Sequence, residues 1–66
     1  MIIKFTKHAD FKRKLSGIEV EQIKRCIQRG SKIRQTDGYL ASYTYIKVAY
    51  KKRGNIYKIK TVYVGI

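Results

Sequence analysis

The dipeptide Gly54-Asn55 does most to limit what this chain can become. It stands between two runs, residues 39–51 and 56–66, that are rich in β-branched and aromatic side chains. Runs of that kind read as strands. A Gly-Asn pair between them supplies the positive φ that a two-residue hairpin turn needs. With a turn of that length Arg53 pairs with Ile56, Lys51 with Lys58, Ala49 with Lys60 and Lys47 with Val62. Paired residues share a side of the sheet. One side then carries Ile46, Val48, Tyr50, Tyr57, Ile59, Thr61 and Tyr63, which reads as core. The other carries Tyr43, Tyr45, Lys47, Ala49, Lys51, Lys58, Lys60, Val62 and Val64.

The remaining elements follow from periodicity and capping. Ile3 and Phe5 alternate with Lys4 and Thr6, the period of a half-buried first strand. From Lys7 the spacing of His8, Phe11 and Leu15 is helical, and Ser16-Gly17 stops it. Val20, Ile23 and Ile27 form the stripe of a second helix. Glu19 and Glu21 lie at its start, Lys24, Arg25 and Arg29 toward its end, and Gly30 closes it. Glu21 and Arg25 have the spacing of an ion pair within that helix. Residues 31–36 read as a weaker strand, Asp37-Gly38 as a turn, and residues 39–51 as one long strand. The expected fold is α+β in the order β-α-α-β-β-β, one domain over residues 1–66, with two N-terminal helices on one face of a small antiparallel sheet.

Charge points to the partner. Sixteen Lys and Arg against four Asp and Glu give a net charge of +12. That self-repulsion is relieved by an anionic partner, with nucleic acid first and an acidic protein second. Residues 38–66 hold all six tyrosines and six basic groups but no acid. The single Cys26 forbids an intrachain disulfide and reads as a small buried hydrophobe in the second helix. With one His and four carboxylates no metal-ligand cluster of sensible spacing is available, and no cofactor is expected. No apolar run has the length of a membrane span and no leader is evident, so the expectation is a soluble cytoplasmic protein without a membrane partner.

The lysine-tyrosine side of the last hairpin is therefore the candidate nucleic-acid surface, with ammonium groups for phosphates and rings for bases. Its expected contacts are Tyr43, Tyr45, the Lys51-Lys52-Arg53 tip and, from the first strand, Lys4 and Thr6. If RNA is cut there, a base must take the proton of the 2′-hydroxyl and cations must stabilise the anionic transition state. His8, Lys47, Lys58 and Lys60 are the candidates for those roles. At a strand-to-helix junction His8 has an equally plain structural use, closing the corner by packing and hydrogen bonding. A noncatalytic nucleic-acid-binding module and a module for an acidic protein partner remain alternatives.

FTKHA at the first junction, GIEVEQIKRCIQRG across the second helix and KTVYV near the end give the chain a further look. In these stretches it resembles a little-characterised family of the RelE and BrnT-like toxin superfamily. The resemblance implies a RelE-like fold and a small basic toxin that cleaves RNA, often on the ribosome, and is neutralised by an acidic antitoxin. It places His8 at the motif histidine, Lys12 where an arginine is usual, and Thr61 and Tyr63 at the terminal motif. Arg13 stands where an apolar residue is usual and Glu19 where a Ser or Thr helix cap is usual.

Overall fold

In the computed structural model, which describes residues 1–65, the chain runs β1 (Ile2–Phe5), α1 (Lys7–Ser16), α2 (Val20–Arg29), β2 (Ser31–Gln35), β3 (Gly38–Tyr43), β4 (Ile46–Arg53) and β5 (Ile56–Val64). The strands form one sheet in the order β1-β5-β4-β3-β2. Four strands follow the helices instead of three, and the sheet is mixed, because β1 lies parallel to β5. Both points correct the expected antiparallel β-α-α-β-β-β order. Residue 66, the expected end of the last strand, lies outside the described residues.

The extra strand arises at Thr44-Tyr45, where the expected long strand folds back on itself and Tyr43 pairs with Ile46. Thr44 has φ 55°, the positive value that the first central residue of a two-residue hairpin requires. A β-branched residue meets steric resistance there. Replacing Thr44 with Asn, which tolerates this region, is expected to stabilise the fold by about 0.5–1 kcal/mol. Urea denaturation checks it, and a lower midpoint in the variant contradicts it. At the β2–β3 turn the chain reverses one residue earlier than expected, at Thr36-Asp37, so that Gln35 pairs with Gly38. Gly38 is there because its φ is 126° and a β-carbon would run into the Tyr50 carbonyl.

The Gly54-Asn55 turn is two residues long, with Arg53 opposite Ile56 and Lys51 opposite Lys58. Farther from the turn the register departs from expectation. Tyr50 pairs with Ile59 but Ala49 pairs with Thr61, so Lys60 is an extra residue in β5. Such a bulge reverses the side on which every later residue points. Val62 therefore lies opposite Val48 in the core, with both fully buried, while Tyr63 lies opposite Lys47 and is 44% exposed. The inward placement of Thr61 and Tyr63 and the outward placement of Val62 and Val64 are both corrected by this one residue.

The core lies between the sheet and the helices: Ile23, Cys26 and Ile27 from α2, Ala9 from α1, and Ala41, Ile46, Val48, Tyr50, Ile59 and Val62 from the sheet. α1 starts with Thr6, whose Oγ1 accepts the Ala9 N–H at 3.1 Å and whose hydroxyl donates to the Lys60 carbonyl at 3.3 Å. Thr6 thus caps the helix and ties it to the bulge, in place of its expected position on the open sheet face. Gly17, in the left-handed region, ends α1.

The stripe of α1 is also rotated from expectation. Ala9 is fully buried, while Phe11 and Leu15 are 63% and 71% exposed. Arg13 takes part of the inward position: its guanidinium lies 5.2 Å from the Phe5 ring centre and donates to the Ile18 carbonyl and to Asp10, both at 3.1 Å. The ring and the alkyl stem do the packing that an apolar residue would do. In α2, Gln22 Oε1 accepts the N–H of the N-cap Glu19 at 2.8 Å, one half of a capping box. Glu21 pairs with Lys24 at 3.6 Å, and not with the expected Arg25.

Candidate nucleic-acid interface

The helices cover one side of the sheet and leave the other open. By register the open side carries Ile2 and Lys4 from β1, Ile56, Lys58, Thr61 and Tyr63 from β5, and Lys47, Ala49, Lys51 and Arg53 from β4. Lys4 pairs with Lys58, and Lys58 pairs with Lys51, so three lysines stand abreast on three adjacent strands. Neighbouring strands lie about 4.8 Å apart, which brings three like charges into one row. Like charges directly opposite each other destabilise a sheet unless an anion lies between them. Toward the Gly54-Asn55 turn, Lys51, Arg53, Lys58 and Ile56 enclose an open cleft of about 260 Å³. Nearby, the Asp37 carboxylate meets Lys51 at 3.1 Å and Lys60 at 3.8 Å, and the Lys60 ammonium also donates to the Asp37 carbonyl.

Asp37 acts as an internal counter-ion. The Lys51 hydrogen bond, then the charges of Lys51 and Lys60, hold its carboxyl below the usual Asp value. Because the folded-state pKa is depressed, the stabilisation is present above the unfolded value and is lost as pH falls through the folded one, in the acid range below about pH 4. Replacing Asp37 with Asn is expected to flatten that acid dependence. It should also strengthen binding of a polyanion by up to about fivefold at low salt, since it frees two ammonium groups. Affinity measured at neutral pH checks this, and a weaker variant contradicts it.

Of the expected site residues, Lys4, Lys47, Lys51, Arg53 and Lys58 lie on the open side, and the contacts of Lys60 with Asp37 bring its ammonium to that side as well. Tyr63 joins them through the bulge, opposite Lys47. Four expected contacts lie elsewhere. Tyr43 lies on the helix side, opposite Ile46 and against the core, and Tyr45 stands 52% exposed in the turn that breaks the expected long strand. Lys52 shares the side of Tyr50 and Tyr57, with its ammonium 5.4 Å from the Tyr57 ring centre. Lys12 lies on α1 and is half-buried, apart from the lysine row.

His8 lies at the start of α1, its Nε2 3.2 Å from Thr61 Oγ1. Thr61 shares the side of Ala49, so this pair forms the rim of the open face next to the bulge. Lys47 and Lys58 are well separated. Lys58 pairs with Lys51, four positions along β4 from Lys47, or about 13 Å. The four expected catalytic groups therefore do not meet at one point. Cys26 is buried with its Sγ 3.4 Å from the Ala41 carbonyl and 3.6 Å from that of Ile46, and burial pushes its thiol pKa up. Such a thiol packs and does not react.

What fold and site define together is an α+β protein with a covered sheet face and an open, basic one. Compared with protein-family profiles, curated proteins and solved structures, the chain matches none. No helix among the described residues is long and apolar enough to cross a membrane.

Proposed function

We propose that this protein binds RNA in the cytoplasm through the open sheet face, the cations of β1, β4 and β5 gripping the phosphate backbone. The Lys4–Lys58–Lys51 row supports this most strongly, since three abutting lysines are unfavourable alone and favourable around phosphates. Arg53, Lys47 and Lys60 widen the positive field on the same side. Tyr63 adds an exposed ring for a base to stack on. Choice of RNA over DNA rests on the family resemblance.

Binding of this kind depends on counter-ion release. The logarithm of the affinity for single-stranded RNA should fall linearly with the logarithm of salt, with a slope of about −0.7 for each phosphate neutralised. An affinity that hardly changes between low and moderate salt overturns the proposal.

A second reading, metal-independent RNA cleavage of the toxin type, draws on the rim. The bulge at Lys60 brings Thr61 and Tyr63 to the open side, and His8 stands in hydrogen-bond reach of Thr61. An imidazole is the side chain most often used as a general acid or base. In this reading the ribosome carries the substrate, and an acidic antitoxin covers the basic face. RNA cut by the purified protein, alone or on ribosomes, and spared by a folded His8→Ala variant that still binds, supports it. RNA bound but left intact in both settings removes it.

A further inference from the structure

On the opposite side of the sheet from the lysine row, α2 and the β3–β4 turn enclose a cleft of about 210 Å³ lined by Gln22, Arg25, Tyr43, Thr44, Tyr45 and Ile46. We infer that this cleft binds one nucleobase together with its phosphate, as presented by a nucleoside monophosphate or by an unpaired nucleotide of a strand. The volume lies below the usual range for a whole cofactor and suits a single ring system.

Four features of the lining fit that ligand. Tyr43 is fixed against the core and Tyr45 stands half-exposed in the turn, so the wall offers one anchored ring and one accessible ring. Rings of this kind stack on any base. Gln22 spends its Oε1 on the Glu19 N–H, which leaves its amide NH2 as a donor for a base edge. Arg25 is exposed and, among the described residues, has no carboxylate partner, because Glu21 turns to Lys24. Its planar fork suits a phosphate.

Thr44, whose positive φ belongs to the two-residue β3–β4 turn, stands at the mouth of the cleft. The cleft would place a base on the helix side while the lysine row holds phosphates on the other, so its ligand is separable from the basic face.

Titration of the 15N-labelled full chain with adenosine 5′-monophosphate, with inorganic phosphate run in parallel, tests the assignment. Saturable amide shifts at Gln22, Arg25, Thr44 and Tyr45 are expected with the nucleotide, and shifts on the lysine row alone with inorganic phosphate. Arg25→Ala and Tyr45→Ala alter exposed side chains, so both variants should keep the wild-type spectrum while each weakens nucleotide binding about tenfold. Cleft resonances that stay still under the nucleotide, or that move as much with inorganic phosphate, overturn the site. Unchanged nucleotide affinity in both variants does the same. Each of these results leaves the reading of the basic face intact.

Discussion

Replacing Lys4, Lys51 and Lys58 together with alanine is expected to lower the affinity for single-stranded RNA by about two orders of magnitude at low salt. The estimate takes about 1 kcal/mol for each exposed cation–phosphate contact. The salt slope should become shallower by about 2, close to 0.7 for each phosphate contact removed. Stability should change little, because removing the like charges on either side of Lys58 relieves repulsion while losing Lys51 also removes its exposed ion pair with Asp37. The combination of lost binding with undiminished stability is what separates a ligand-gripping row from lysines that only keep a sheet face in solution. Triple-variant protein that binds as tightly as wild type rejects the row as the contact surface.

Ile59→Ala carries the largest expected effect on the fold. Ile59 is fully buried at the point where β5 meets β1 and β4, with Phe5 and Tyr50 as its cross-strand partners. It also directly precedes the bulge. Truncating a buried Ile to Ala costs about 2–5 kcal/mol. A single core in a chain of this size supplies roughly 3–5 kcal/mol in all, so most of the protein should be unfolded at room temperature. Circular dichroism with a urea titration reads this directly. A variant that keeps a cooperative transition within about 1 kcal/mol of wild type shows that the core does not depend on this position.

Much of the local structure could be read in the chain. Gly54-Asn55 fixed the length of the last turn and with it the Lys51–Lys58 pairing, and Gly17 marked the end of α1. The bulge and the Thr44 turn escaped because neither carries a glycine or proline. Each did leave a trace in the apolar alternation. Tyr57 and Ile59 keep period two, Val62 and Val64 keep it again, and the phase slips by one residue between them. Ala41 and Tyr43 slip in the same way against Ile46 and Val48. A change of phase within a strand pattern is the signal of an inserted residue or a turn.

The parallel pairing of β1 with β5 had no local trace, since it joins residues more than fifty positions apart. The rotation of α1 escaped for a chemical reason. Arg13 counts as polar in any periodicity, yet its stack on Phe5 makes it a packing residue, and the inward face turns to Ala9. The consequence for the site was specific. Tyr43 and Tyr45 left the open face and Tyr63 entered it, while Lys47, Lys51 and Lys58, which precede the slip in β5 or lie on the unbulged β4, stayed where the hairpin put them.

The central claim is that the lysine row of the open sheet face grips the RNA phosphates. Lysine acylation mapped by mass spectrometry, with and without a single-stranded RNA, tests it most directly. Lys4, Lys51 and Lys58 should lose reactivity on binding, while Lys14 and Lys24, paired on the helices with Asp10 and Glu21, should keep theirs. Protection of Lys14 and Lys24 with the row left reactive, or equal protection of every lysine, contradicts it.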